Sequence, residues 1–322
     1  MKPAAVALRP AAAAKRSPSL RGAAAFGLIA AVAAAVLALP ALLDDFGLAL
    51  AMSCLMYVAL AASWAMFSGA TGYISLGTAA FFGIGAYFSA LTLESWPWPL
   101  AVAGGGLAAA ALAALAGLAI LHLRGTYFAM ITFGAAEFLR LLVSELEKAL
   151  TGTVGRALSE VPSDRVQYLT MALLALGAVG LALLVKRSAL GMALAGIGTD
   201  EQRAQSLGVA TRWVKVAGFA LSAFVSGCVG AAMAVRFNYI DPPAVFNSFI
   251  SLQTVLIVTV GGAASLGGTV LAAVAFTLLA EALRLQVPQA YLILLGSALI
   301  ACVLFMPEGL AGLLRRQRGG TR

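Results

Sequence analysis

The chain has 322 residues, 62% of them hydrophobic and 11% charged, with a mean hydropathy of +0.97. A soluble domain carries about 25% charged and about 45–50% apolar residues, and its exterior needs polar cover, so the composition excludes a water-soluble globule and points to lipid as solvent. The formal net charge is +8, but the basic residues sit between apolar stretches or at the ends, which excludes a continuous nucleic-acid-binding stripe.

In chain order, a basic stretch at 1–21 holds Lys2, Arg9, Lys15, Arg16 and Arg21. An apolar run from Gly22 to Leu43 follows. A cleavable signal peptide has a shorter apolar core of about 7–15 residues, so this run is expected to remain as a first span. A spanning helix needs about 20 mostly apolar residues. On that measure, further spans are expected at 46–67, 74–93, 98–121, 126–143, 168–185, 213–236, 248–262, 268–284 and 289–306. The expected fold class is all-α, a polytopic transmembrane helix bundle of about ten spans, with eight as the alternative count. Gly77, Gly83 and Gly85 interrupt 74–93, and 248–262 is short. Either segment is open to being re-entrant or broken, which is tolerable only where protein or a water-filled cavity covers it. The transmembrane domain is read as 22–306, between basic tails at 1–21 and 307–322.

Ten alternating spans place fifteen Lys and Arg on the side of both termini and four on the other. Basic residues concentrate on the cytoplasmic side, so both termini are expected in the cytoplasm. Trp96 and Trp98 flank Pro97 at an outer helix end, where amphipathic rings anchor. Small residues such as Ala31, Ala34, Gly104 and Ala108 suit close helix contact in lipid, where apolar burial gives no drive. The longest polar connections are 144–166 outside and 186–212 inside.

Charges inside lipid are costly and each needs a partner. Glu137 and Arg140 are three apart on one helix face and can pair; a structural ion pair is the first reading and the lining of a polar route the second. Glu281 and Arg284 repeat the spacing. No acid stands alone at mid-depth, which argues against an ion-coupled carrier. Cys54, Cys228 and Cys302 lie in apolar segments at spacings that fit no metal site, and His122 is a lone residue at a span end. Gly261, Gly262, Gly267 and Gly268 are followed by no Lys-Ser or Lys-Thr at phosphate-loop spacing. The run Gly72-Tyr73-Ile74-Ser75-Leu76-Gly77 is echoed by Gly262-Ala263-Ala264-Ser265-Leu266-Gly267. Corresponding glycine-interrupted segments in two halves can mark a substrate route.

The loop 186–212 is the most informative polar stretch. Thr199 or Asp200 is placed to cap a short helix starting near Glu201, and Gly208 to stop it. Ala204, Leu207 and Val209 give it a small apolar side. Such a helix is a natural surface for a soluble partner or a simple cap on the bundle.

Four blocks in order resemble LivM-type permeases of bacterial ABC importers for branched-chain amino acids. They are Gly72–Gly77 running on to Phe81-Phe82-Gly83-Ile84-Gly85-Ala86-Tyr87; Arg124-Gly125-Thr126-Tyr127-Phe128 on to Glu137 and Arg140; the 186–212 loop on to Lys215 and Phe219-Ala220-Leu221-Ser222; and Val260-Gly261-Gly262 with Ser265-Leu266-Gly267-Gly268. The resemblance spans about residues 50–315. It implies a multi-pass subunit of the bacterial inner membrane that pairs with a homologous LivH-type permease. Two cytoplasmic ATPases would bind ATP and Mg, and a periplasmic solute-binding protein would deliver the solute. No cofactor is expected in this chain, and no nucleic acid.

The resemblance also assigns roles. The inner loop matches the permease coupling helix, which makes Asp200, Glu201, Arg203, Ala204, Leu207 and Gly208 the expected contacts to the ATPase. Its usual Glu-Ala-Ala is altered, since Gln202 and Arg203 follow Glu201 and Ala204 comes late. The route is expected near Ser75, Gly77, Thr78, Gly83, Gly85, Ser265, Gly267 and Thr269, as lining or gate. The expected function is alternating-access import of branched-chain amino acids, with urea or short amides as the alternative solutes. A secondary transporter working alone, a membrane enzyme and a structural subunit are the competing classes.

Overall fold

The computed structural model describes residues 34–41, 43–158, 161–237, 239–263 and 265–287, with the single positions 290, 293, 296 and 297. The chain divides into two compact units, Met1–Leu42 and Leu43–Arg322. Within the first, a 3-10 turn covers Leu39–Ala41. The second is helical, with α1 at Asp45–Gly69, α2 at Thr78–Thr92, α3 at Trp98–Ile120 and α4 at Thr126–Thr151. It continues with α5 at Asp164–Arg187, α6 at Ala189–Thr199, α7 at Glu201–Ser206 and α8 at Thr211–Ala234. The short α9 at Pro242–Val245 leads into α10 at Ser248–Gly261, and α11 covers Leu266–Gln286. Two-residue strands, β1 at Arg156–Ala157 and β2 at Tyr239–Ile240, pair antiparallel with Arg156 opposite Ile240.

The expectation of about ten spans, or eight, is corrected. Among the described residues seven helices are long and apolar enough to cross a membrane: α1, α3, α4, α5, α8, α9 with α10, and α11. The expected span 74–93 becomes α2, only 15 residues long, against the about 20 a span needs. The expected span began at Ile74, but Gly72–Gly77 is not helical and the helix starts at Thr78. The expected spans 22–43 and 289–306 fall largely outside the described residues. So do both termini, on whose side of the membrane the structure is silent.

Local chemistry explains the helix limits. The Asp44 carboxylate accepts from the Gly47 amide at 3.3 Å and caps α1, and the last turn of α1, Ala65–Gly69, is a π-turn. Pro99 sits in the first turn of α3, where its missing N–H costs nothing. Gly152 ends α4 in the left-handed conformation at φ 74°, a cap for which glycine is suited. Asp164 opens α5, and Lys186 and Arg187 close it, in keeping with the helix dipole.

Helix α8 is the centre of the bundle and is mostly buried, whereas α4 is mostly exposed. It packs on α3, α2 and α1. Glycine makes the α2–α8 approach possible, because a Cβ on Gly85 would overlap the Gly227 carbonyl and one on Gly230 the Phe82 carbonyl. Backbones this close replace apolar drive with dispersion contact. A side chain at Gly83 would likewise collide with the Phe246 ring.

Candidate functional site

The polar connection between α5 and α8 folds into two short helices. Ser188 starts α6 by accepting from the Gly191 amide at 3.3 Å. At its far end Gly198 lies against the Ala70 carbonyl with no room for a side chain. Asp200 is extended at φ −160° and caps α7, its carboxylate accepting from Gln202 N at 3.0 Å and Arg203 N at 3.1 Å. Helix α7 ends as a Schellman turn. The Gly208 amide donates to Gln205 O at 2.9 Å and the Val209 amide to Ala204 O at 3.1 Å. Gly208 holds φ 86°, a region costly for residues with a Cβ. Ala204 is buried and Val209 packs with it in one apolar cluster. Arg203 has 85% of its side chain exposed, and Leu207 is likewise 85% exposed.

Glu201 does not share that exposure. Its side chain is only 8% exposed and forms the hub of a polar cluster. Its Oε1 accepts from Lys215 Nζ at 2.7 Å, and its Oε2 from the Tyr73 hydroxyl at 2.8 Å and from Arg124 Nη2 at 3.0 Å. Lys215, itself 5% exposed, also donates to the Leu121 carbonyl at 2.7 Å and to the Tyr73 hydroxyl at 3.2 Å. One carboxylate thus joins α7 to α8, to the α3–α4 loop and to the segment before α2. Burial disfavours its charge, but the hydrogen bonds from Lys215 and Tyr73 and the charges of Lys215 and Arg124 outweigh that. The Glu201 carboxyl is held below its ordinary value. This end of the bundle also carries Lys186, Arg187, Arg203 and Arg212.

Tyr73 begins a non-helical segment, Gly72–Gly77, that lies among helices. Backbone polar groups there need internal partners, and several in and just after the segment have them. Trp64 Nε1 donates to Ser75 O at 2.8 Å, and Leu76 N donates to Thr132 Oγ1 at 3.0 Å. Ser75 Oγ accepts from Gly77 N at 3.3 Å, and Ser251 Oγ from Ala79 N at 2.8 Å. Thr132 is six residues into α4, so Leu76 sits about 9 Å deep along that helix.

The expected route residues separate into groups. Ser75 and Thr78 are buried beside this segment, and Gly77 caps α2. Gly83 and Gly85 are packing contacts deeper in the bundle. Ser265 caps α11 by accepting from Gly268 N at 3.3 Å, and the fully buried Thr269 donates to Ser265 O at 3.1 Å. Gly267 faces open space. Glu137 and Arg140 do pair, at 2.8 Å, and Ser248 donates to the other Glu137 oxygen, so α4 is tied to α10. Glu281 and Arg284 pair at 2.8 Å as well.

At the opposite end the buried Glu147 accepts from the Tyr87 hydroxyl at 3.0 Å and from Gly155 N at 2.9 Å. Together with the β1–β2 pair this folds the 152–157 connection onto α2 and α4. Among the described residues no group of three or more His, Cys, Asp or Glu is placed to hold a metal ion.

Sequence reasoning missed Lys215, Tyr73 and Arg124 as partners of Glu201. A signal was present in Lys215, which stands one turn inside an apolar helix and so demands a counter-charge. Nothing local says that the counter-charge comes from Glu201 and not from another acid.

The family model described as branched-chain amino acid transport system / permease component matches residues 46–304. The high-affinity branched-chain amino acid transport system permease protein LivM of Escherichia coli (strain K12) is 29% identical over 300 residues, covering 82% of this chain and 69% of that protein. The protein of the same name from Salmonella typhimurium (strain LT2) is 28% identical over 302 residues, with the same shares covered. No solved structure matches the chain.

Proposed function

The chain belongs to the branched-chain amino acid transport system / permease component family, and from that premise we propose that it forms half of the membrane pathway of an ATP-driven importer for branched-chain amino acids. Membership makes it a non-catalytic, multi-pass subunit of the inner membrane. In this reading it pairs with a homologous LivH-type permease. Two cytoplasmic ATPases bind ATP and Mg, and a periplasmic binding protein presents the solute.

The observation that carries the reading is α7. It is a capped helix at the basic end with Arg203 and Leu207 turned outward and Glu201 turned inward. An ATPase docked on the outward side moves α7 as its nucleotide sites close. Because Glu201 bonds Lys215 and Tyr73, that movement reaches the central helix α8 and the segment leading into α2. A ligand or nucleotide shifts such an equilibrium only through different affinity for its two states. Glu201 acts here as a positioning residue, while Asp200 and Gly208 shape the helix that docks. The route itself is proposed to run near Ser75, Thr78 and Gly267.

The solute reading is supported by the two similar proteins, both named as high-affinity branched-chain amino acid transport permeases. The test is uptake by proteoliposomes holding the whole assembly, with labelled leucine, isoleucine, valine or urea. ATP-dependent uptake of the three amino acids is expected. Uptake of urea or a short amide without them would overturn the solute and keep the importer. Uptake by this chain alone under an ion gradient would overturn the importer.

A further inference from the structure

A cavity of about 470 Å³ opens at the basic end, between the last turn of α3 and the first turn of α8. Leu118, Arg124, Arg212 and Lys215 line it together with Glu201, so three cations face one carboxylate. Lys215 directs its bonds to Glu201, Leu121 O and the Tyr73 hydroxyl and contributes field more than a donor. Arg124 touches Glu201 through one nitrogen and is 57% exposed, and Arg212 is exposed. The remaining guanidinium N–H groups are the donors on offer, and their planar fork matches phosphate oxygens.

Apolar side chains outside the lining neighbour it in sequence, as a site for a free ion does not require. Leu115 is 69% exposed on α3, one turn from Leu118, and Trp213 is 63% exposed beside Arg212 on α8. Aromatic rings of this kind settle at the headgroup level of a bilayer, and basic pockets between spanning helices suit lipid headgroups. We propose that this cavity binds the phosphate headgroup of an anionic glycerophospholipid through Arg124 and Arg212. The site goes beyond the transport reading and does not depend on the solute.

Phosphatidylglycerol binding to the purified full-length chain, measured by native mass spectrometry against phosphatidylethanolamine, tests the site. Phosphatidylglycerol is expected to bind more tightly. Arg212→Gln should weaken it about fivefold and the double change Arg124→Gln/Arg212→Gln about 25-fold, from the usual effect of each cation near anionic lipid. Arg156→Gln, at the other end of the bundle, should leave it unchanged. Arg212 is exposed, so its variant keeps the fold and reads the site even where the double variant does not fold. Equal binding of the two lipids, or no loss in the Arg212 variant, would overturn the proposal. So would inorganic phosphate displacing the lipid at millimolar concentration, which assigns the cavity to a free anion. Loss of the lipid when the ATPases assemble would assign it to a protein partner and overturn the proposal as well.

Discussion

A carboxylate buried at the base of a membrane bundle is tolerable only with its charge answered, and Glu201 has three partners within 3.0 Å. Removing one member of a buried pair costs about 3–5 kcal/mol, because the other charge is left uncompensated. Glu201→Gln is therefore expected to lower the melting temperature of the detergent-solubilised chain. The double change Glu201→Gln/Lys215→Met should restore part of the loss, which a simple volume defect would not do. The pH dependence has a defined sign. Glu201 is held below its ordinary value in the folded chain, so its stabilisation is full above the unfolded carboxyl value of about 4.3 and fades as pH falls through the lower folded value. The melting difference between wild type and Glu201→Gln should be constant from about pH 6 to 8 and shrink in acid below about pH 4. The inward turn of Glu201 was not read from the sequence, which set it among the expected ATPase contacts, although the helix spacing held a clue. Ala204, three residues on, is the small apolar residue of α7, and positions three apart share a face. Its distant partners Tyr73 and Arg124 were not legible, since they arrive from other elements through tertiary packing.

Two elements carry movement in this account. Helix α7 is short and held at both ends, by Asp200 and by the left-handed Gly208. Gly208→Ala should cost about 1–2 kcal/mol at that turn and reduce solute transported per ATP hydrolysed, with the affinity for the binding protein unchanged. A normal ratio in a folded assembly would count against α7 as the moving part. Helix α2 depends instead on contact with α8. Gly230→Ala pushes a methyl into the Phe82 carbonyl, and overpacking of this sort costs about 1–3 kcal/mol, so the yield of monodisperse protein should fall. The sequence marked α7 well because caps and stop signals are local. It lengthened α2 because Ile74 and Leu76 are apolar, and hydropathy cannot tell a strand of extended chain from a helix turn. The groups that hold this segment and the first turn of α2, Thr132 and Ser251, lie 56 and 172 residues from their partners.

At the scale of the whole molecule, the all-α class followed from composition, and seven long helices sit where apolar runs were expected. Among the described residues the count was overestimated because α2 is too short to span, while the outermost runs fall largely outside them. The central claim is that the outward face of α7 meets an ATPase. A photoreactive side chain placed at Leu207, 85% exposed, and another at Leu150, 83% exposed at the opposite end, compare two equally open positions in the assembled importer. The account predicts cross-links to the ATPase from position 207 and none from position 150. Cross-links from 150, or silence at 207, would contradict it.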